Sequence, residues 1–286
     1  MMTIFTRITI LLILLPALNG CAGMMVNSLM RPTMANLQRQ TDINLVCEGT
    51  PSFLLMIDSM VASAPDDKQL LMTATQAFTG YSAALDACDK PKRAATVSIK
   101  ARLYGLSLLW NCDDLHTICN LPLVELQETL ADLDRGDVDL LFWAGNAWTT
   151  WIRHQEGSPE SLAQLVRIEQ IMLRVLELDE TFYHGGAHLF LGAYNGSKPP
   201  LLGGKPDLSR SHFEQALSIS NRQFLPALVL YAQTYAKMVF DRELYVELLQ
   251  EVIDFNLASQ PDTMLANQVA KHNAAKMLNQ VELYFD

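Results

Sequence analysis

Apolar residues recur every three to four positions along most of this chain. The segment 159–178 is the clearest case: Leu165, Ile168, Met172, Val175 and Leu176 fall on one face, while Arg167, Gln170, Arg174 and Glu177 fall on the other. That is the period of an amphipathic helix with one buried stripe. Val97, Ala101, Tyr104 and Leu108 repeat the pattern, as do Leu228, Tyr231, Tyr235 and Val239. Runs that alternate apolar and polar residues, the mark of strands, are scarce. Helix-start signals punctuate the chain: Thr50-Pro51 and Ser158-Pro159 each offer a cap followed by proline, and Asp241 precedes Arg242-Glu243-Leu244. The pattern predicts about eleven helices, near 51–63, 67–88, 91–110, 122–133, 138–155, 159–178, 181–194, 207–220, 225–239, 242–255 and 262–284.

The breaks between these helices are short and carry Pro, Gly, Asp or Asn, so consecutive helices are expected to pack antiparallel. Pairs stacked in series would give an all-α solenoid. A degenerate tetratricopeptide-like register supports this. Leu191-Gly192 is followed by Tyr194, and after an inserted loop come Ser209, Phe213 and Ala216. Small residues are needed where two helices touch, and the aromatic ring fills the space beside them. Gly80-Tyr81, Ala101 and Tyr104 keep the same small-plus-aromatic logic.

The N-terminus changes the picture. Arg7 precedes an apolar run from Ile8 to Leu18, which ends in Asn19-Gly20-Cys21. The run is shorter than the about 20 apolar residues needed to cross a bilayer, and it has the layout of a secretory signal. Leu18-Asn19-Gly20-Cys21 matches a lipobox, which makes Cys21 the expected acylated first residue of the mature chain. The alternative is an ordinary cleaved signal with Cys21 incidental. Residues 1–20 are read as the signal, 21–40 as a lipid-anchored tether and 41–286 as the helical-repeat domain. Ala22 after the cysteine favours the inner leaflet of an outer membrane over retention at the inner membrane.

Half of the 286 residues are apolar, so the chain is globular. Its formal charge of −10 becomes −11 once the signal, with Arg7 as its one charged residue, is removed. An acidic surface argues against nucleic acid, whose binding depends on Lys and Arg, and against adhesion to anionic lipid other than through the acyl chain. Besides Cys21, four cysteines remain, an even number that suits an exported protein with disulfides. Cys112 and Cys119 flank a short segment. Cys47 and Cys88 fall at ends that an antiparallel hairpin brings together. The expected bridges are 112–119 and 47–88, the alternative being buried free thiols. No Cys-x-x-Cys pair suggests zinc.

Three features are candidates for function. His184 and His188 lie one helical turn apart, a spacing able to bind a metal, but Gly185 stands where a metalloprotease carries glutamate and no third ligand is indicated. No metal and no cofactor is expected there. Packing in a groove is the ordinary reading. Trp143, Trp148 and Trp151 fall within nine residues. They are either core or the wall of an apolar ligand cavity, and Tyr194 joins them as a lining candidate. The loop Asn195 to Pro206, with Lys198, Pro199, Pro200, Leu202, Gly203 and Gly204, combines restrained and permissive residues and is a candidate partner contact. It lacks the Gly-Lys-Ser/Thr ending of a phosphate loop. No Gly-x-Ser-x-Gly elbow and no cysteine in a catalytic setting supports an enzyme.

The run Gly185-Gly186-Ala187-His188-Leu189-Phe190-Leu191-Gly192-Ala193-Tyr194, then Leu202-Gly203-Gly204-Lys205-Pro206, then His212-Phe213-Glu214-Gln215-Ala216-Leu217 resembles the T-component of TRAP transporters. Val239-Phe240-Asp241-Arg242-Glu243-Leu244, Gly80-Tyr81 and Arg102-Leu103-Tyr104-Gly105-Leu106 fit as well. The resemblance covers nearly all of the mature chain. It implies a periplasmic lipoprotein of tetratricopeptide-like repeats that forms a homotrimer with a central pore and clefts. It also implies work with the periplasmic solute-binding protein of a TRAP transporter, and a role with hydrophobic ligands. The cysteine set is not a feature of that resemblance. The competing expectation is a tetratricopeptide scaffold lipoprotein that binds protein segments during envelope assembly.

Overall fold

The computed structural model describes residues 30–111 and 118–285. The signal and Cys21 lie outside the described residues. In chain order the helices are α1 (Arg31–Gln38), α2 (Ile43–Ser63), α3 (Lys68–Ala87), α4 (Pro91–Trp110), α5 (Leu123–Ala131), α6 (Val138–Arg153), α7 (Pro159–Leu162), α8 (Leu165–Leu178), α9 (Phe182–Gly196), α10 (Pro206–Ile219), α11 (Leu225–Tyr231), α12 (Arg242–Asp254), α13 (Met264–Leu278) and α14 (Val281–Phe285). There is no strand among the described residues, and the fold is all-α.

Local chemistry explains most boundaries. The Asp67 side chain accepts from the amides of Gln69 and Leu70 at 2.9 and 3.0 Å, which starts α3. Asp241 accepts from Leu244 at 2.9 Å and starts α12. Ser158 accepts from Ser161 at 3.2 Å and starts α7. Each such cap satisfies an amide that the helix itself leaves unpaired.

One boundary differs from its sequence signal. Thr50-Pro51 does not open a helix. α2 begins at Ile43, capped by Asp42, and runs through Pro51. Proline lacks the N–H that would bond the carbonyl four residues back, here that of Cys47. The Tyr81 hydroxyl of α3 donates to that carbonyl at 2.8 Å. A neighbouring helix thus supplies the missing donor, and the proline is tolerated. Within the stretch expected to be a tether, α1 is folded, with Met30 fully buried beside it. The expected single helix over 159–178 is interrupted at Ala163-Gln164, where the Gln164 side chain bonds to its neighbours.

Successive helices pack on one another: α2 on α3, α3 on α4, α4 on α6, α6 on α8, α8 on α9, α9 on α10 and α12 on α13. The small-plus-aromatic contact expected of Gly192, Ser209 and Phe213 is present at α9–α10. Ser209 donates to the Gly192 carbonyl at 2.7 Å, and a β-carbon at Gly192 would stand 3.0 Å from the Phe213 ring. Apolar side chains form three adjoining clusters, over α1–α4, α4–α9 and α9–α14. The array also meets itself, because α13 touches α1, α2 and α3. Arg39–Asp262 at 2.8 Å and Lys276–Asp89 span that contact. Both pairs are solvent-exposed, so packing and not charge holds it.

Candidate functional site

The N-terminal end of α9 is not helical. Tyr183 (φ 47°, ψ 56°), His184 (φ 61°, ψ 31°) and Gly185 (φ 73°, ψ 35°) form a short left-handed turn. Glycine takes that conformation freely. Tyrosine and histidine do so at about 1–2 kcal/mol each. Asp179 braces the approach: it accepts from the Thr181 amide at 3.0 Å and hydroxyl at 2.7 Å, and from Arg135 at 2.9 Å. Those hydrogen bonds, from Thr181 and then Arg135, hold its carboxyl below the usual range.

The turn places two rings where the middle and C-terminal clusters meet. Tyr183 stands edge-on to Trp143 with centroids 4.7 Å apart, and it packs on Phe142 at 5.2 Å and Phe224 at 5.9 Å. His184 stacks flat on Phe224, 4.5 Å away at 12°. Phe182 closes against Phe142 at 5.3 Å. Tyr183 keeps 37% of its surface exposed, yet burial raises its phenol pKa. Burial also lowers the His184 pKa, so its imidazole is neutral near pH 7.

The three tryptophans expected together have different partners. Trp143 faces Tyr183. Trp148 is fully buried and donates from Nε1 to the Gln164 Oε1 at 2.7 Å. Trp151 carries the Arg102 guanidinium 4.2 Å above its ring, and Arg102 also bonds Gln164 at 3.2 Å. The sequence did not single out Gln164, and it offered Arg102 only within the run 102–106 of the family resemblance; their signal, long polar residues facing two tryptophans, emerges only when α4 meets α6.

His184 and His188 do not face each other as a metal pair would. His188 Nδ1 lies 2.9 Å from the Nδ1 of His212 on α10, and one ring's N–H donates to the other's nitrogen. Its Nε2 looks at Glu180 from 3.7 Å. Among the described residues no group of three or more His, Cys, Asp or Glu is placed to hold a metal. His212 is pushed down to about 4, first by burial and then by His188; burial lowers His188 too, against the pull of Glu180. A histidine whose folded pKa lies below its unfolded value of about 6.5 stabilises in full above pH 6.5, and that stability is lost as pH falls through the folded pKa. His212 is only half buried, so solvent screening brings that loss to on the order of 1–2 kcal/mol by pH 4 and below. The acid shift in melting temperature between pH 6.5 and 4 is therefore expected to shrink in His212→Gln. An unchanged pH profile would remove this role from the pair.

Tyr194 stacks on Phe190 at 5.9 Å, and Lys198 sits 4.9 Å over its ring. A cavity candidate is thereby joined to the loop candidate. The loop closes on itself: the Pro199 carbonyl accepts from Leu202 at 2.9 Å and Gly204 at 3.1 Å, and Lys205 donates to Asn195 at 2.9 Å. Gly203 takes φ 86°. Leu201 and Leu202 project from this rigid frame, 97% and 73% exposed. The two adjacent leucines form a small exposed apolar patch on the loop.

Cys47 and Cys88 form a disulfide. The other expected bridge involves Cys112, which lies outside the described residues. Cys119 is a free, half-buried thiol, and burial raises its pKa against the pull of Arg102 and Arg167.

The chain is an all-α array in which successive helices pack on one another. The chain belongs to the TRAP transporter T-component family, whose sequence model matches residues 39–285. That family is a transport accessory component and is not known as an enzyme family. No curated protein matches the chain closely.

Proposed function

We propose that this protein is a periplasmic lipoprotein, anchored through Cys21, that works with the solute-binding protein of a TRAP transporter. It presents a small, largely apolar organic ligand to that protein or takes one from it. Membership of the T-component family implies association with a TRAP system. The observation that supports the finer reading is the part-exposed aromatic cluster of Trp143, Tyr183, His184 and Phe224. The Lys198–Gly204 loop, with Leu201 and Leu202 projecting, supports a protein contact beside it. The resemblance to a trimeric family extends the proposal to a homotrimer, which would bring several such loops together.

The test is co-purification of the mature chain with a candidate TRAP solute-binding protein, followed by extraction of bound small molecules. A stoichiometric complex and a recovered organic ligand are expected. Absence of any complex would overturn the reading, and capture of envelope-assembly proteins in its place would favour the scaffold alternative. Leu201→Asp with Leu202→Asp should abolish the complex and leave melting temperature within about 2 °C of wild type, because exposed substitutions change stability little.

A further inference from the structure

We propose that the cavity where α13 meets the first helical hairpin binds a small zwitterion, an α-amino acid with a short apolar side chain. Its carboxylate would rest on the open first turn of α2, and its ammonium on the Asp42 carboxylate. The site stands apart from the aromatic cluster and does not depend on the transport reading above.

Three observations carry this. The first is the cavity itself. It measures about 260 Å³ and is lined from three elements: Thr41 to Asn44 at the start of α2, Ala87 at the end of α3, and Gln268 and His272 on α13. Pockets that enclose drug-sized ligands run from roughly 300 to 1,000 Å³, so this one suits a smaller molecule. The Cys47–Cys88 bridge ties the walls formed by α2 and α3 to each other, so the space is set before a ligand arrives.

The second is a set of polar groups with nothing in the protein to pair with. His272 Nε2 is shielded from solvent and has no hydrogen-bond partner among the described residues. A ring nitrogen left so is costly unless something bonds it. The side chains of Thr41, Asn44 and Gln268 also make no hydrogen bond to another described residue. The backbone adds two donors. The Asp42 side chain accepts from the Leu45 amide at 3.0 Å, and its carbonyl accepts from Val46 at 3.2 Å. The amides of Ile43 and Asn44 have no acceptor among the described residues, as the first turn of a helix leaves them.

The third is charge, which names the ligand class. Two free amides at the head of a 21-residue helix attract a carboxylate, because the helix dipole places positive charge there. Asp42 is the one carboxylate on the lining and has no basic partner among the described residues. Its capping bond uses only one of about four acceptor positions. A simple anion would satisfy the amides and be repelled by Asp42; a simple cation would meet the reverse. A zwitterion meets both. His272 serves it in either tautomer, since Nε2–H donates to the carboxylate and a bare Nε2 accepts from the ammonium. Ile43 and Ala87 leave one apolar side to the cavity, which takes a short aliphatic side chain.

The test uses three probes against the mature chain: L-valine, N-acetyl-L-valine, which keeps only the negative charge, and L-valinamide, which keeps only the positive one. Binding is read by titration calorimetry and by amide NMR shifts. Saturable binding of L-valine with Kd at about 1 mM or tighter is expected, with shifts at Ile43 and Asn44 and the other two probes at least tenfold weaker. Asp42→Asn keeps a good cap and removes the charge. It should bind L-valine about tenfold more weakly, while N-acetyl-L-valine binds no more weakly than to wild type. His272→Phe keeps a ring and removes Nε2, and L-valine affinity should fall several-fold with it; unliganded melting temperatures confirm that both variants fold. Absence of saturable L-valine binding, equal binding of the three probes, or wild-type affinity in both variants would overturn the inference. So would an Asp42→Asn variant that loses all three probes alike, because a damaged wall and not a lost charge would then explain it.

Discussion

Replacing Cys47 and Cys88 together by alanine is expected to lower the unfolding free energy by about 4 kcal/mol, from the loop-entropy relation for a closed loop of 41 residues. For a chain of this size that corresponds to a fall in melting temperature of roughly 10 °C. The bridge ties the first turns of α2 to the end of α3, the open end of a helical hairpin whose other end is closed by a short turn at 64–67. Without it the unfolded chain gains freedom, and the folded hairpin keeps only packing and the Tyr81–Cys47 hydrogen bond at that end. The double replacement avoids leaving a lone reactive thiol in an exported protein. Urea titration of the oxidised wild type and the variant, without reductant, measures the difference. Midpoints that coincide would show that the two thiols are not paired in solution.

The cysteine arithmetic found this bridge because only hairpin geometry was needed. The nearby Thr50-Pro51 signal misled for a related reason. A cap and a proline are local features, while the hydroxyl that lets Pro51 sit inside α2 comes from Tyr81, thirty residues on. Local pattern fixes where helices are favoured; which donors they lend each other is a tertiary fact. The tryptophan stripe shows the same division. Helical period places Trp143 and Trp151 on one side of α6, but long side chains end far from their backbones, one on Tyr183 and the other under Arg102. His184 and His188 were read as one turn apart on a regular helix. The left-handed turn breaks that spacing, and His188 pairs with His212 on α10. Nothing local foretold the left-handed turn at Tyr183 and His184, since packing on Phe142, Trp143 and Phe224 sets them there.

Gly204→Ala is expected to cost about 3 kcal/mol, the upper range for forcing atoms into a packed site. A β-carbon at Gly204 would stand 1.8 Å from the Lys198 carbonyl oxygen and 2.7 Å from its carbon. Both are backbone atoms, so no side chain can swing aside. The loop must open, which breaks the Gly204–Pro199 hydrogen bond and strains the Lys205–Asn195 closure. Gly203→Ala makes the contrast. A β-carbon there meets nothing within 4 Å, but φ is 86°, so the penalty is the left-handed one of about 1–2 kcal/mol. The adjacent glycines of Leu202-Gly203-Gly204 are therefore needed for different reasons, one for conformation and one for space. Hydrogen exchange of the Lys205 amide reads the loop directly, and its protection should be lost in Gly204→Ala. Because Leu201 and Leu202 ride on the same frame, the complex with the solute-binding protein should weaken at least tenfold. Wild-type protection of Lys205 together with an undiminished complex would mean that the loop's closed shape does not matter for docking.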